Sequence, residues 1–559
     1  MRPLEELKVP ATVQAVPAAR IDRLAERERG LLQTAALIGK EFPRSILERV
    51  ADLAPTDLSG ALAGLERAEF IFERSLYPEA EYAFRHPLTQ EVALQSQLSD
   101  RRMRLHAAIA RAIEELRPDR LDEEAGGLAH HWEGAGDTVQ AAGWHHRAAL
   151  RTEDANPAES IGRWHKVRSL LANAAVSSTT TTLRMQACRG ILSTYWRVGG
   201  SEVDTVFAEG RALAEEAGDM RLLAFLLNLY GNAKGVAGDL RAYHELAVEA
   251  LNVAERTGDP VLHAEVATDV HPFLWTGRVR EALSLTEKAI ALGPEDLTIG
   301  MELFGISAYL NALAWQAATL TEMGRLDEAA SDLDRHGGRG GTSGVIWTQV
   351  FAAQRAYRAG DGSSALTHAR RLLERAEGGV LSQVWAQLIL GMALVANREW
   401  SEAEEAERRA LSLAREHGLH FGMTAVALCF LAEAKLGQGD PRAALELADE
   451  SLVDARQSGG RLFEMDALLT RARALLDSEG ASCAAEVERT VAEVSALIDE
   501  TEARCRDPIV HEISAELPRL RGDEATRERE LREAYGLFAA MGAKGHAERI
   551  APLLAKWAR

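Results

Sequence analysis

The sequence predicts an all-α chain, a solenoid of stacked helix pairs, on three observations. Small residues return in one phrase: a Gly, an Ala five residues on, and a small residue twelve after the Gly. Gly277, Ala282 and Ala289 show it, closed by Pro294. The phrase recurs at Gly136/Ala141/Ala148, Gly360/Ala365 and Gly439/Ala444/Ser451, with looser copies at Gly238/Ala250, Gly324/Ala329 and Gly522/Ala534. The apolar share, 47% of residues with only 6% aromatic, is carried by Ala and Leu, both strong helix formers. A unit repeated at this period buries its apolar face only by stacking on its neighbours. Such an array works by offering a surface, so the sequence points to a binding or regulatory protein.

The first stretch, to about Leu116, lacks the phrase. Leu31, Leu32, Ala35, Ala36 and Ile38 form a helical stripe that ends at Gly39. Pro43 opens a second short helix, and a third follows with Thr56 or Asp57 as N-cap. β-like pieces at Ile71–Phe72 and Tyr82–Phe84 flank a turn-rich segment. Three helices followed by a β-hairpin is the winged-helix arrangement. Residues 86–116 then read as one long or two short helices. The charged segment Arg117–Glu124 is the expected hinge, and helix pairs run from there to the C-terminus. The loops Val176–Thr182 and His336–Gly344 interrupt the period and are expected to be mobile.

Formal net charge is −20, from 64 basic and 84 acidic residues. A chain this acidic is repelled by phosphate backbones and anionic membrane surfaces. Four scattered cysteines with no C-x-x-C pair argue against disulfide staples and a cysteine zinc site. With no signal-peptide core and no long apolar run, the expected location is cytoplasmic.

Placing Gly277 at position fifteen of a thirty-four-residue unit puts Ala282 at twenty, Ala289 at twenty-seven and Pro294 at thirty-two. This register resembles the tetratricopeptide family, although the turn glycines are spaced more widely and unevenly. The fold expected is therefore all-α: a tetratricopeptide-like α-solenoid preceded by a small winged-helix domain. A second resemblance lies in "VPATVQAVPAARIDRLAERERGLLQTAALIGKEFP", "EYAFRHPLTQEVALQSQLSDRRMRLHAAIARAIEEL", "LAHHWEGAGDTVQAAGWHHRA" and "ERELREAYGLFAAMGAKGHAER". These are similar to the region after the nucleotide-binding domain of STAND-type signalling ATPases, as in bacterial class III adenylate cyclases and large LuxR-type regulators. The resemblance implies that 1–24 is a remnant of an ATPase-domain linker, 25–116 the winged helix, 117–124 a hinge and 125–559 the repeats. The P-loop of such proteins, G-x-x-x-x-G-K-[ST], is absent: before Gly39–Lys40 stands Thr34 in place of Gly, and Glu41 replaces the Ser/Thr.

The expected function is a non-catalytic signal-transduction module. The repeats bind a protein, peptide or small effector, and the winged-helix hinge passes this to an ATPase or cyclase partner. The alternatives are a C-terminal fragment of an ATP-dependent adenylate cyclase or STAND ATPase, and a transcriptional regulator. No cofactor is expected in the chain itself; ATP or ADP would be met through a partner domain. The resemblance singles out His86, assisted by Arg85, as the nucleotide-reporting residue, against a plain role in starting the next helix. DNA binding is disfavoured because the third helix offers Arg67 alone as a cation. His130, His131, His145 and His146 suggest zinc only weakly, since helical neighbours point about 100° apart. The recurring tryptophans are expected to be mostly core. No catalytic constellation is present.

Overall fold

The computed structural model describes residues 11–77, 79–153, 155–198, 202–291, 297–301, 307–337, 339, 341–376, 379–420 and 422–557. Pro294 lies outside them. The contacts divide the chain into two units, Met1–Ile191 and Leu192–Arg559.

In the first unit, helix Glu26–Ile38 leads into strand β1 (Glu41–Pro43), helices Arg44–Val50 and Pro55–Arg67, and strands β2 (Ile71–Ser75) and β3 (Glu81–Phe84). The sheet is antiparallel in the order β1-β3-β2. The hairpin was legible in the sequence and β1 was not: three residues are too few for an alternating pattern. Phe42, paired with Tyr82, turns into the core. Pro43 thus ends β1 and is the N-cap of the next helix, rather than its first residue. The third helix begins at Pro55, earlier than expected from Thr56 or Asp57. Residues 86–116 form two helices, Pro87–Gln95 and Ser99–Leu116. Leu32, Leu47, Leu65 and Ile71 centre this small core. A second apolar cluster joins Leu37, Ile46 and Ile109 to Leu128, Trp132 and Trp144 across the expected hinge. Arg117, at the start of that hinge, donates to both Glu79 and Glu124.

Helices Ala125–Ala135, Thr138–Thr152, Pro157–Leu171 and Ser178–Val198 continue the chain. Residues 178–182 are therefore helical rather than a loop. Ser177 and Thr180 explain the start, each side-chain oxygen accepting the other's backbone N–H. Gly341 onward likewise belongs to a helix, Gly341–Arg358.

The second unit is a succession of antiparallel helix pairs. The first helix of a pair is buried nearly all round, as in Val380–Ala396, whereas its partner Trp400–Glu416 buries one stripe and leaves charge outside. Small residues occupy the crossings: Ala282, Ala289, Ala365 and Ala444 are buried here, as are Ala141 and Ala148 in the first unit. Gly391 shows why, since a β-carbon there would lie 2.1 Å from Glu407 of the partner helix. The glycines of the phrase occupy the turns between helices, and Gly136, Gly277, Gly360 and Gly439 all have positive φ. An aspartate follows Gly136, Gly218, Gly238, Gly258, Gly360, Gly439 and Gly522, and its carboxylate caps the next helix. The Gly-Asp pair stops one helix and starts the next.

Within this unit the superhelix winds tightly enough to touch itself. Arg506 reaches Glu322, 184 residues earlier, and Arg241 donates to the Arg456 carbonyl, 215 residues later. His420 N–H donates to Val236 O at 2.8 Å. Gly545 lies against Gly360, backbone on backbone.

Candidate ligand cavity

A cavity of about 870 Å³ lies inside the second unit. Helical periodicity builds its wall: Asp466, Thr470, Arg473 and Asp477 occupy successive turns of one face of helix Arg461–Glu479. Helix Met423–Gly437 contributes Val426, Cys429, Phe430 and Glu433, and helix Asp507–Arg521 contributes Ile509, Glu512, Ile513 and Glu516. Tyr357 and Arg358 enter from an earlier pair, Gly545, His546 and Arg549 from the last helix. The Gly360–Gly545 approach is what brings these two ends of the wall together.

Its polar groups are organised in linked pairs. Asp466 accepts from Arg506 at 2.9 and 2.8 Å and from Arg358 at 3.0 Å. Burial pushes the Asp466 carboxyl up, but the two guanidiniums outweigh it and hold it below its ordinary value. Arg506 is 1% exposed and also pairs with Glu322. Arg473 donates to Glu433 at 2.9 Å, and Thr470 donates to the same oxygen at 3.1 Å. Arg549 pairs with Glu512 at 2.7 Å. Tyr357 and Phe430 meet edge to face, Phe538 stacks on His546, and Trp400 from an outer helix covers Gly437.

The lining includes two thiols and one imidazole, and burial shifts all three. Cys505 and Cys429 are its nucleophile candidates, and burial pushes the Cys505 thiol to about 12 and raises that of Cys429 as well. Neither is a thiolate near neutrality. His546 is driven down to about 4 by burial and then by Arg549, so it is neutral.

The sequence-selected residues lie elsewhere. Exposed His86 is the N-cap residue of helix Pro87–Gln95 without a side-chain capping bond. Arg85, named as its assistant, lies over the Phe72 ring, 5.7 Å from its centroid. His131 is buried and shares a 3.0 Å Nδ1–Nδ1 hydrogen bond with His106; the exposed His130 stands beside both. His145 pairs with Glu133 at 2.6 Å and His146 lies edge-on to Trp164. No group of three metal-ligating side chains is arranged for a cation among the described residues. Trp132, Trp144, Trp164, Trp275, Trp315 and Trp385 are buried, while Trp347 and Trp400 are half-buried. Trp400 alone of these lines the cavity. No described helix is long and apolar enough to cross a membrane.

No protein-family model matches the chain, and no curated protein matches it. Similar solved structures include a Rap protein complexed with Competence and Sporulation Factor, at 13% identity and TM-score 0.39, over 73% of this chain and 99% of that one. A STAND protein with a tetratricopeptide repeat sensor from Pyrococcus horikoshii is similar at 11% identity and TM-score 0.33, over 98% of this chain and 68% of that one. The Cut9–Hcn1 hetero-tetramer of APC/C is similar at 12% identity and TM-score 0.41, over 80% and 81%. Likeness at this level carries no inference about partner or activity.

Proposed function

We propose that this chain is a non-catalytic repeat module that binds a peptide in the cavity of its second unit. The observation that carries this reading is the cavity itself. Its volume of about 870 Å³ falls in the range of ligand pockets, roughly 300–1,000 Å³, and its wall mixes aromatic faces with fixed polar groups. To test it, peptides are selected from a random library on the immobilised full chain and mapped by hydrogen exchange. Protection is expected at 423–437, 461–479 and 507–521, with binding lost in Phe430→Ala. Selected peptides that protect only other helices would sink the reading.

The signalling role rests on the resemblance of the N-terminal segments. In this proposal residues 25–116 form a winged helix that transmits ligand binding to an ATPase or cyclase domain, with His86 and Arg85 facing its nucleotide. The apolar cluster spanning 37–144 supports a lever that moves with the first helix pairs. If the role is right, adding the chain to such an ATPase domain changes its ATP-to-ADP preference, and His86→Ala removes the change. An unaltered preference would leave the binding module without this output.

A further inference from the structure

Independently of the cavity, we infer that the outward face of helix Ser99–Leu116 docks an acidic segment of a protein partner. That face is a stripe of unmatched cations. Arg101, Arg104 and Arg111 are exposed and stand three and then seven residues apart. Helical spacing puts them on one side of the helix, over about 15 Å of its length. Ala108 lies between them, and Leu98, one turn before Arg101, is 81% exposed.

Elsewhere in the same unit guanidiniums are matched: Arg27, Arg44, Arg49 and Arg117 each pair with a carboxylate. Among the described residues Arg101, Arg104 and Arg111 pair with none. Arg101 donates to the Gln33 amide oxygen at 3.2 Å, and Arg111 lies over the Trp132 ring. The helix's own carboxylates leave the stripe in excess. Glu114 accepts from the Trp132 and Trp144 indoles and Glu115 pairs with Arg49, so Asp100 alone of them is left beside three guanidiniums. Position adds a cost. Arg101, Arg102 and Arg104 sit in the first two turns, where the partial positive charge of a helix N-terminus disfavours cations. A local choice that works against its own helix is expected where the residues serve a contact outside the fold.

Charge distribution selects a short acidic chain over a polyanion. Residues 1–191 hold 25 basic and 27 acidic residues, whereas 192–559 hold 39 and 57. A nucleic acid long enough to gain from counterion release meets the field of the whole acidic chain. A short acidic segment meets the nearly balanced first unit, and Leu98 gives it an apolar anchor that phosphates do not use.

The test measures fluorescence anisotropy of three labelled probes on the full chain: a dodecapeptide of repeated Glu-Glu-Leu, its Gln-Gln-Leu counterpart, and twelve-nucleotide oligothymidylate. At low salt the Glu peptide is expected to bind about tenfold more tightly than either other probe, and to weaken as salt rises. Arg101→Gln with Arg104→Gln and Arg111→Gln should remove that preference at an unchanged melting temperature. Arg101→Lys with Arg104→Lys and Arg111→Lys should keep most of it. Arg67→Gln with Arg151→Gln, exposed arginines off the stripe, should leave it intact. Equal binding of the Gln peptide, tightest binding of the oligonucleotide, no binding by any probe, or a preference unmoved by the stripe variants overturns the inference. None of these outcomes touches the cavity reading.

Discussion

The backbone N–H of Gly545 donates to the carbonyl of Ala359 across 3.1 Å. A β-carbon at Gly545 would lie 2.2 Å from the Gly360 oxygen, and one at Gly360 would lie 2.5 Å from the His546 nitrogen. Both obstacles are backbone and cannot swing aside. Gly545→Ala should therefore lower stability by about 1–3 kcal/mol, as overpacking does, and should accelerate hydrogen exchange in 544–554 beyond its effect on 203–236. Gly536→Ala, where a β-carbon meets nothing, is the control. Equal stability of the two variants would mean that this contact is not made in solution.

Arg506 is a buried guanidinium with two carboxylate partners, Asp466 and Glu322. Removing one side of a buried pair strands the other, which costs about 3–5 kcal/mol. Arg506→Met is expected to show a loss of that size in denaturant unfolding. Adding Asp466→Asn should restore part of it. No recovery in the double variant would mean that packing of the arginine stem, not charge, is what matters.

Glu407 is fully buried, and neither carboxylate oxygen has a hydrogen-bond partner among the described residues. Burial raises its carboxyl well above the usual value, so the folded chain keeps it protonated while the unfolded chain ionises it. Its stabilising contribution is present below the unfolded value, near pH 4.5, and is lost as pH rises toward the folded one. Glu407→Met should leave stability at pH 5 little changed and raise it at pH 8 by about 1–3 kcal/mol. The same change at both pH values would count against a buried neutral carboxyl.

The histidines give the opposite slope. Burial and then the neighbouring imidazoles drive His131 to about 3; burial, His130 and Arg102 drive His106 to about 4. Unfolding exposes both to titration near 6.5. The unfolded chain therefore binds more protons below pH 6.5, and stability falls as pH drops from 6.5 toward 4. His131→Asn should reduce that slope by close to one proton, about 1.4 kcal/mol per pH unit. An unaltered slope would place the acid sensitivity elsewhere.

The helical repeats were legible because their cause is local. An alanine at a helix crossing and a glycine in the preceding turn answer mostly to nearby residues, so they recur at a readable period. Even so, the Gly-Asp pairs carried a boundary signal that the Gly-Ala phrase overlooked. The cavity was hidden because its residues come together only through winding. Gly360 is a turn glycine in the sequence and a contact for Gly545 in the fold, and one letter cannot announce both. Arg506 looks like an ordinary surface arginine until its partners arrive from Glu322 and Asp466. His86 was found by resemblance; it stands exposed at the start of helix Pro87–Gln95, with no side-chain capping bond.

Coils that touch also change how the molecule should come apart. An open array frays from its ends, one pair after another. Here the last pair is clasped to residues met nearly two hundred positions earlier, so its terminus is not a loose end. The second unit should behave as a closed spring washer: resistant to nibbling at the C-terminus, then failing over most of its length at once.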